Sequence, residues 1–284
     1  MKQIKQSKKI GLLFITITYV LAILVAILVF KLLPEDATLI MKLLVCDLCA
    51  TLFVFIIGTI FSNATFYDPY WSVQPIVLTI AMMINFEAYK IGDWLLLMVV
   101  CAWGVRLTVN WVITFKDMNH QDWRYDDLKV KSKKLYPAVN LLGIHLFPTY
   151  VVFMCMVPII SWFSEGFKFT YLTLIGVIVA LVGVVLEIVA DTQKRNFRKN
   201  HERSLVNVGL WKKGRHPNYF GELVFWLGIY LFALLPNISI WPQGLGLLIN
   251  ILMFVFISIP MADAKSILRH PDYKIYKEQS RMFI

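Results

Sequence analysis

Apolar runs recur along this chain from Ile10 to Pro260, and several are long enough to cross a bilayer as an α-helix, which takes roughly 20 residues. Hydropathy places eight helices at Ile10–Leu33, Leu39–Phe61, Val73–Phe86, Trp94–Phe115, Pro137–Phe163, Tyr171–Ala190, Tyr219–Leu235 and Leu245–Pro260. The third is the shortest. A soluble domain is about 45–50% apolar, whereas this chain is 58% hydrophobic with mean hydropathy +0.66. The expected class is all-α, a polytopic transmembrane helical bundle. No Pro/Gly/Ser-rich or polar linker divides it, so residues 1–284 are expected to form a single membrane domain, with N-terminal spans in 1–61 and a core in 62–284. The first apolar run follows lysines, as in a signal peptide. It is too long for a typical signal core and no small-residue cleavage site follows, so it is expected to be retained.

The net charge of +10 could indicate a nucleic-acid partner, but its distribution argues against one. Twenty-three of the 28 lysines and arginines fall in the N-terminus, the loops after the fourth and sixth spans and the C-terminal tail. The opposite loops hold only Lys31, Lys90 and Lys168. The positive-inside rule puts both termini in the cytosol and supports an even number of spans. The protein is expected in a membrane, the bacterial inner (plasma) membrane. Cys46, Cys49, Cys101 and Cys155 all lie in apolar segments, and the five histidines show no metal-ligand spacing. No metal and no oxidising compartment are implied.

The richest stretch for chemistry runs from Gly209 to Glu222, through Trp211, Arg215, His216, Pro217, Asn218 and Tyr219. It sets basic, ring-bearing and acidic residues against an apolar run, and polar groups are costly in hydrocarbon. Pro217 suits the first turn of a helix, where a missing N–H costs nothing. That helix would point its free N–H groups and positive dipole end at whatever sits beside Arg215 and His216, an arrangement suited to phosphate. Asn218 and Glu222 are four residues apart, and Glu222 is either paired with a neighbouring helix or bonded to a ligand.

Other constellations lie on the same expected side. Glu187, Asp191, Arg195 and Arg198 share one face of a helix leaving the membrane, which is either a solvated helix end or a binding face. Tyr67, Asp68, Tyr70, Trp71 and Gln74 form an aromatic and acidic cluster, either an interfacial belt or the rim of an active site. Arg106, after Trp103, is a cation within the fourth span that either snorkels, pairs with Glu187 or Glu222, or meets a ligand. His270, Tyr273 and Tyr276 in the tail either face solvent or close over a ligand.

Five blocks together resemble the C-terminal domain of the steroid 5α-reductases, by way of a bacterial membrane family. They are Tyr67–Ser72 with Pro75, Trp103 to Arg106, Asp122–Tyr125, Glu187 to Phe197, and Trp211 to Glu222. They cover roughly half the chain in matching order, and Pro-Asn-Tyr-Phe-Gly-Glu after Gly-Leu-Trp is the most specific of them. The resemblance implies an NADPH site in which Asn218, Glu222, Asp191 and Arg198 contact the cofactor. Arg195, Arg215, His216, Tyr219 and Tyr273 complete the expected cofactor set, and Trp71, Trp103, Arg106 and Glu187 would meet substrate or cofactor. The reductases polarise their substrate with a Gln-Glu pair and a Tyr; no Gln-Glu match is found here and Trp103 stands at the Tyr position. Tyr67 and Asp68 are the remaining candidates for the acid.

The expected function is NADPH-dependent reduction of a conjugated carbon–carbon double bond in a hydrophobic, steroid-like or isoprenoid-like substrate drawn from the bilayer. A similar Arg-His-Pro-x-Tyr-x-Gly run also occurs in membrane methyltransferases, so an S-adenosylmethionine-dependent enzyme is the alternative. A non-catalytic lipid-binding or transport protein is the third. Oligomeric state and substrate identity are not encoded in these motifs.

Overall fold

The computed structural model describes residues 6–201 and 204–284; of the basic residues counted above, Lys2, Lys5 and Arg203 lie outside them. The described residues are helical with no strand, as expected for a chain whose backbone groups must be satisfied within each span. The longer helices are α1 (Lys8–Leu32), α2 (Leu39–Ile60), α3 (Tyr70–Asn85), α4 (Ile91–Thr114), α5 (Trp123–Ser132), a single turn α6 (Tyr136–Val139), and α7 (Phe147–Ser164). There follow α8 (Thr173–Asn200), a single turn α9 (Leu210–Lys213), α10 (Pro217–Leu234), α11 (Gly244–Met253), α12 (Ile259–Arg269) and α13 (Tyr273–Gln279). Wide π turns at Asn140–Leu146 and Phe254–Ser258 join α6 to α7 and α11 to α12.

Six of these segments are long and apolar enough to cross a membrane: Lys8–Leu32, Leu39–Ile60, Ile91–Thr114, Trp123–Ser164, Thr173–Asn200 and Ile238–Arg269. The chain is an integral membrane protein. The third and seventh expected spans do form helices, α3 and α10, but neither reaches that length and hydropathy. α3 has 16 residues, and α10 carries Asn218 and Glu222 in its first turns. Pro75 does not start a helix but lies inside α3, while Pro137 and Pro217 do sit in first turns.

The chain divides into two compact units. One comprises Met1–Ala81 and Gly104–Val157, the other Met82–Trp103 and Pro158–Ile284. In the first, Ile15, Ala22, Ala50, Val54, Phe66 and Tyr67 build the core between α1, α2 and the turn after α2.

In the second unit, α8 and α10 pack backbone against backbone. A Cβ added at Gly176 would collide with Phe232, one at Gly228 with Ala180, one at Gly183 with Phe225, and one at Gly221 with Glu187. Small residues permit this approach, the usual basis of helix association in lipid. The pairs run in opposite directions along the two helices, so the helices are antiparallel. The charged end of α8, from Asp191 to Arg198, therefore lies beside the first turn of α10.

Candidate anion-binding site

A pocket of about 580 Å³, counting the solvent in its mouth, opens in the second unit where these two ends meet. Lys194 and Arg198 come from α8, Trp211 from α9, Arg215 and His216 from the turn that follows, Asn218 and Tyr219 from α10, and Tyr273 and Tyr276 from α13. Among the described residues that line it there is no Asp or Glu.

Local sequence explains how each wall is placed. Gly209 has φ +54, a left-handed conformation that glycine adopts without strain, and its amide turn is met by Gln193, whose Oε1 accepts from Leu210 N at 2.8 Å. This turn delivers Trp211, whose indole N–H donates to Ala190 O at 2.9 Å and so fixes the ring against α8. The Lys194 ammonium lies 4.9 Å from the centroid of that ring. Pro217 opens α10 as its first helical residue. The free N–H groups of that first turn, and the positive end of the helix dipole, therefore belong to residues that line the pocket.

Beneath the pocket a single carboxylate ties the C-terminal segment down. Asp263 on α12 accepts from His216 Nε2–H at 2.9 Å, from the Tyr273 hydroxyl and from Lys277 Nζ at 2.9 Å. Arg215 Nε lies 3.9 Å from the same carboxylate. Arg215 Nη1 donates to the backbone carbonyls of Lys277 at 3.1 Å and Ser280 at 2.5 Å, and the Tyr276 hydroxyl donates to Trp211 O. The chain end then pairs with the turn before α10: Arg215 N donates to Arg281 O and His216 N to Met282 O. Burial pushes the Tyr276 phenol up to about 12, and burial followed by the Asp263 contact raises Tyr273 as well. Both remain neutral hydroxyl groups at neutral pH.

Six of the residues expected at a cofactor site meet in this pocket: Arg198, Arg215, His216, Asn218, Tyr219 and Tyr273. Asp191 and Arg195 stand on α8 but are not among its walls; Arg195 is exposed and donates to Thr192 Oγ1 at 3.5 Å. Glu222 is not among them either. It is buried, with Oε2 accepting from Trp103 Nε1 at 2.9 Å and Oε1 from Trp226 Nε1 at 2.8 Å. This is the pairing to a neighbouring helix that the sequence left open. Trp103 stacks on Phe225 with ring centroids 4.7 Å apart, and Glu187 is buried against Gly221.

The other candidates lie in the first unit. Tyr67 is buried, and its hydroxyl shares a hydrogen bond with Thr149 Oγ1 at 2.8 Å, which continues to Thr51 at 3.0 Å. Asp68 accepts from the Tyr125 hydroxyl at 2.5 Å and from Trp111 Nε1 at 3.3 Å. Burial pushes its carboxyl up to about 7, against the opposing effect of the Tyr125 hydrogen bond. Trp71 packs on the core around Tyr67, and Arg106 is half-buried on α4.

Three residues escaped the sequence reading. Lys194 was counted only as a loop charge. Asp263 follows the last apolar run directly, and a carboxylate at a span boundary was the signal to heed. Asp47 stands inside α2, where it accepts from Tyr70 OH at 2.8 Å and Gln74 Nε2 at 3.1 Å. A charge within an apolar run marks such a group.

Fold and site together define an integral membrane helical protein with a cationic pocket built from its last helices. The chain belongs to the family described as "Protein of unknown function (DUF1295)", whose model matches residues 54–280. It is 21% identical over 248 residues to an uncharacterised protein of Schizosaccharomyces pombe, covering 78% of this chain and 72% of that one. No solved structure matches it.

Proposed function

We propose that this protein is an NADPH-dependent membrane reductase acting on a carbon–carbon double bond conjugated to a carbonyl in a hydrophobic substrate. The observation that carries this reading is the pocket: cationic, free of acidic side chains among its described walls, flanked by aromatic rings and placed at the N-terminus of α10. Such a site favours a polyanion with a flat ring. It is ill suited to S-adenosylmethionine, whose sulfonium is a cation, so the charge balance weighs against the methyltransferase alternative. The resemblance to the steroid 5α-reductases supports the same conclusion.

NADPH, when bound, supplies the hydride; the protein supplies binding, orientation and exclusion of water. Arg198 and Arg215 bring positive charge to the phosphates, with Arg215 also fixed as a wall by its carbonyl contacts. Asn218 offers an amide to ribose or carboxamide. Asp191 and Glu222 have this role only through the resemblance. The acid that protonates the substrate is assigned to Tyr67 or Asp68, which are hydroxyl and carboxyl groups with pKa values raised by burial. In this reading both termini and the pocket-bearing loops face the cytosol, as the basic loops suggest, and NADPH is supplied there.

The test uses the indole of Trp211 in the pocket wall. Titrating NADPH into the detergent-solubilised protein should quench tryptophan emission saturably, because the dihydronicotinamide absorbs where indole emits. A Trp211→Phe variant should lose most of that signal. Saturable binding of S-adenosylmethionine without NADPH binding would establish the methyltransferase instead. Binding of neither would leave the lipid-binding alternative.

A further inference from the structure

We infer that Lys194 and Arg198 form the subsite for a phosphomonoester on the bound nucleotide, so that this pair selects NADPH over NADH. The inference rests on the proposed nucleotide reading and assigns roles within it. The lysine and arginines that line the pocket, Lys194, Arg198 and Arg215, differ in their partners. Arg215, His216 and Lys277 surround Asp263, at 3.9, 2.9 and 2.9 Å. That carboxylate offsets much of the Arg215 charge, and Arg215 Nη1 is committed to two backbone carbonyls. Arg215 is thus held in the wall that faces the phosphates.

Lys194 and Arg198 are placed differently. They stand four residues apart on α8, so both project from one face into the pocket. Among the described residues neither makes a close ion pair with a carboxylate; Asp191, three residues before Lys194 on α8, acts on it only through the longer-range field. Like charges at this spacing repel, and an anion between them relieves that repulsion. Cations near a helix C-terminus often do no more than complement the dipole, and Arg198 alone fits that role. Lys194 does not. It lies a turn further back, and its ammonium sits over the Trp211 ring. That contact holds the ammonium in place through the ring face and leaves its N–H donors for a ligand. Trp211 is in turn held by Ala190 O, so the platform is fixed before any ligand arrives. Ser204, another residue of the pocket's wall, adds a hydroxyl. Two cations and a hydroxyl match a phosphomonoester, which carries about −1.5 to −2 charge at pH 7 and three acceptor oxygens. A dinucleotide that lacks the 2′-phosphate has nothing to offer them beyond its diphosphate.

Isothermal titration of NADPH and NADH into the detergent-solubilised full chain tests this. Lys194→Gln should weaken NADPH about 10- to 100-fold, the loss of a charge-assisted hydrogen bond, and leave NADH unchanged. Arg198→Gln should do the same to a smaller extent, and more so at low salt, because Arg198 is exposed. Lys194→Arg should retain NADPH selectivity, and unchanged NADH affinity shows that each variant is folded. An equal loss for both nucleotides would overturn the inference by placing Lys194 on the diphosphate. So would unchanged NADPH affinity in Lys194→Gln, or a wild-type protein that does not distinguish the two. A wild-type protein that binds neither nucleotide would overturn the proposed function and this inference with it.

Discussion

Replacing Asp263 by Ala should release the C-terminal segment from the pocket. The magnitude follows from what Asp263 touches. The His216 side chain is 7% exposed and Tyr273 3%, so each loses a buried hydrogen bond to a charged acceptor, about 1.5–3 kcal/mol apiece. The Lys277 side chain is 45% exposed, and its pair is worth at most about 1 kcal/mol. These contacts share one carboxylate and are not additive. The net loss should be about 3 kcal/mol, the low end for breaking a buried charge network. At about 1.4 kcal/mol per factor of ten, the opened population of the segment rises on the order of 100-fold. Trypsin offers the assay, because Lys274 and Lys277 lie within α13 and the cleavage rate follows the opened population when reclosing is fast. Tryptic cleavage there should accelerate on the order of 100-fold in Asp263→Ala. It should accelerate less in Asp263→Asn, which keeps one acceptor oxygen. Nucleotide affinity falls only by the fraction of molecules left open, so a modest loss of NADPH binding should accompany a large gain in cleavage. Cleavage of Asp263→Ala at the wild-type rate would refute the assignment of Asp263 as the latch.

Three other outcomes are expected. Gly183→Val would press a side chain into the Phe225 backbone and should cost about 1–3 kcal/mol in detergent unfolding, while Gly143→Ala, whose added methyl meets only Val139 at 4.0 Å, should be neutral. If Asp68 is the acid, turnover should fall as pH rises through about 7, since the protonated carboxyl is the active form. Asp68→Asn should remove that limb and lower turnover by roughly 10²–10⁴-fold with NADPH affinity intact; a wild-type profile in Asp68→Asn would exclude it. A Ser204→Cys variant in intact cells should resist an impermeant thiol reagent until the membrane is opened, and labelling from outside would invert the expected topology.

The helical class, most of the spans and the start of α10 at Pro217 were legible because each rests on local chemistry. Apolar length, basic flanks and a proline's missing N–H act over one segment at a time. The residue stretch around Arg215 was legible for the same reason, as charge set against an apolar run. Of the eight expected spans, six contain a segment long and apolar enough to cross a membrane; α10 carries Asn218 and Glu222 in its first turns and α3 has only 16 residues.

Partners were another matter. The sequence by itself determined a helical membrane protein with a cluster of cations and rings near residues 194–219. Only the tertiary structure decided which of them share a pocket. The glycines of α8 and α10 set two helices in contact, and that spacing brings Lys194 and Arg198 beside Asn218 while turning Glu222 toward two indoles. Asp263 and His216 are 47 positions apart in the chain yet 2.9 Å apart in space. No local pattern records that pairing, because it depends on how α12 and the chain end fold back over the turn before α10.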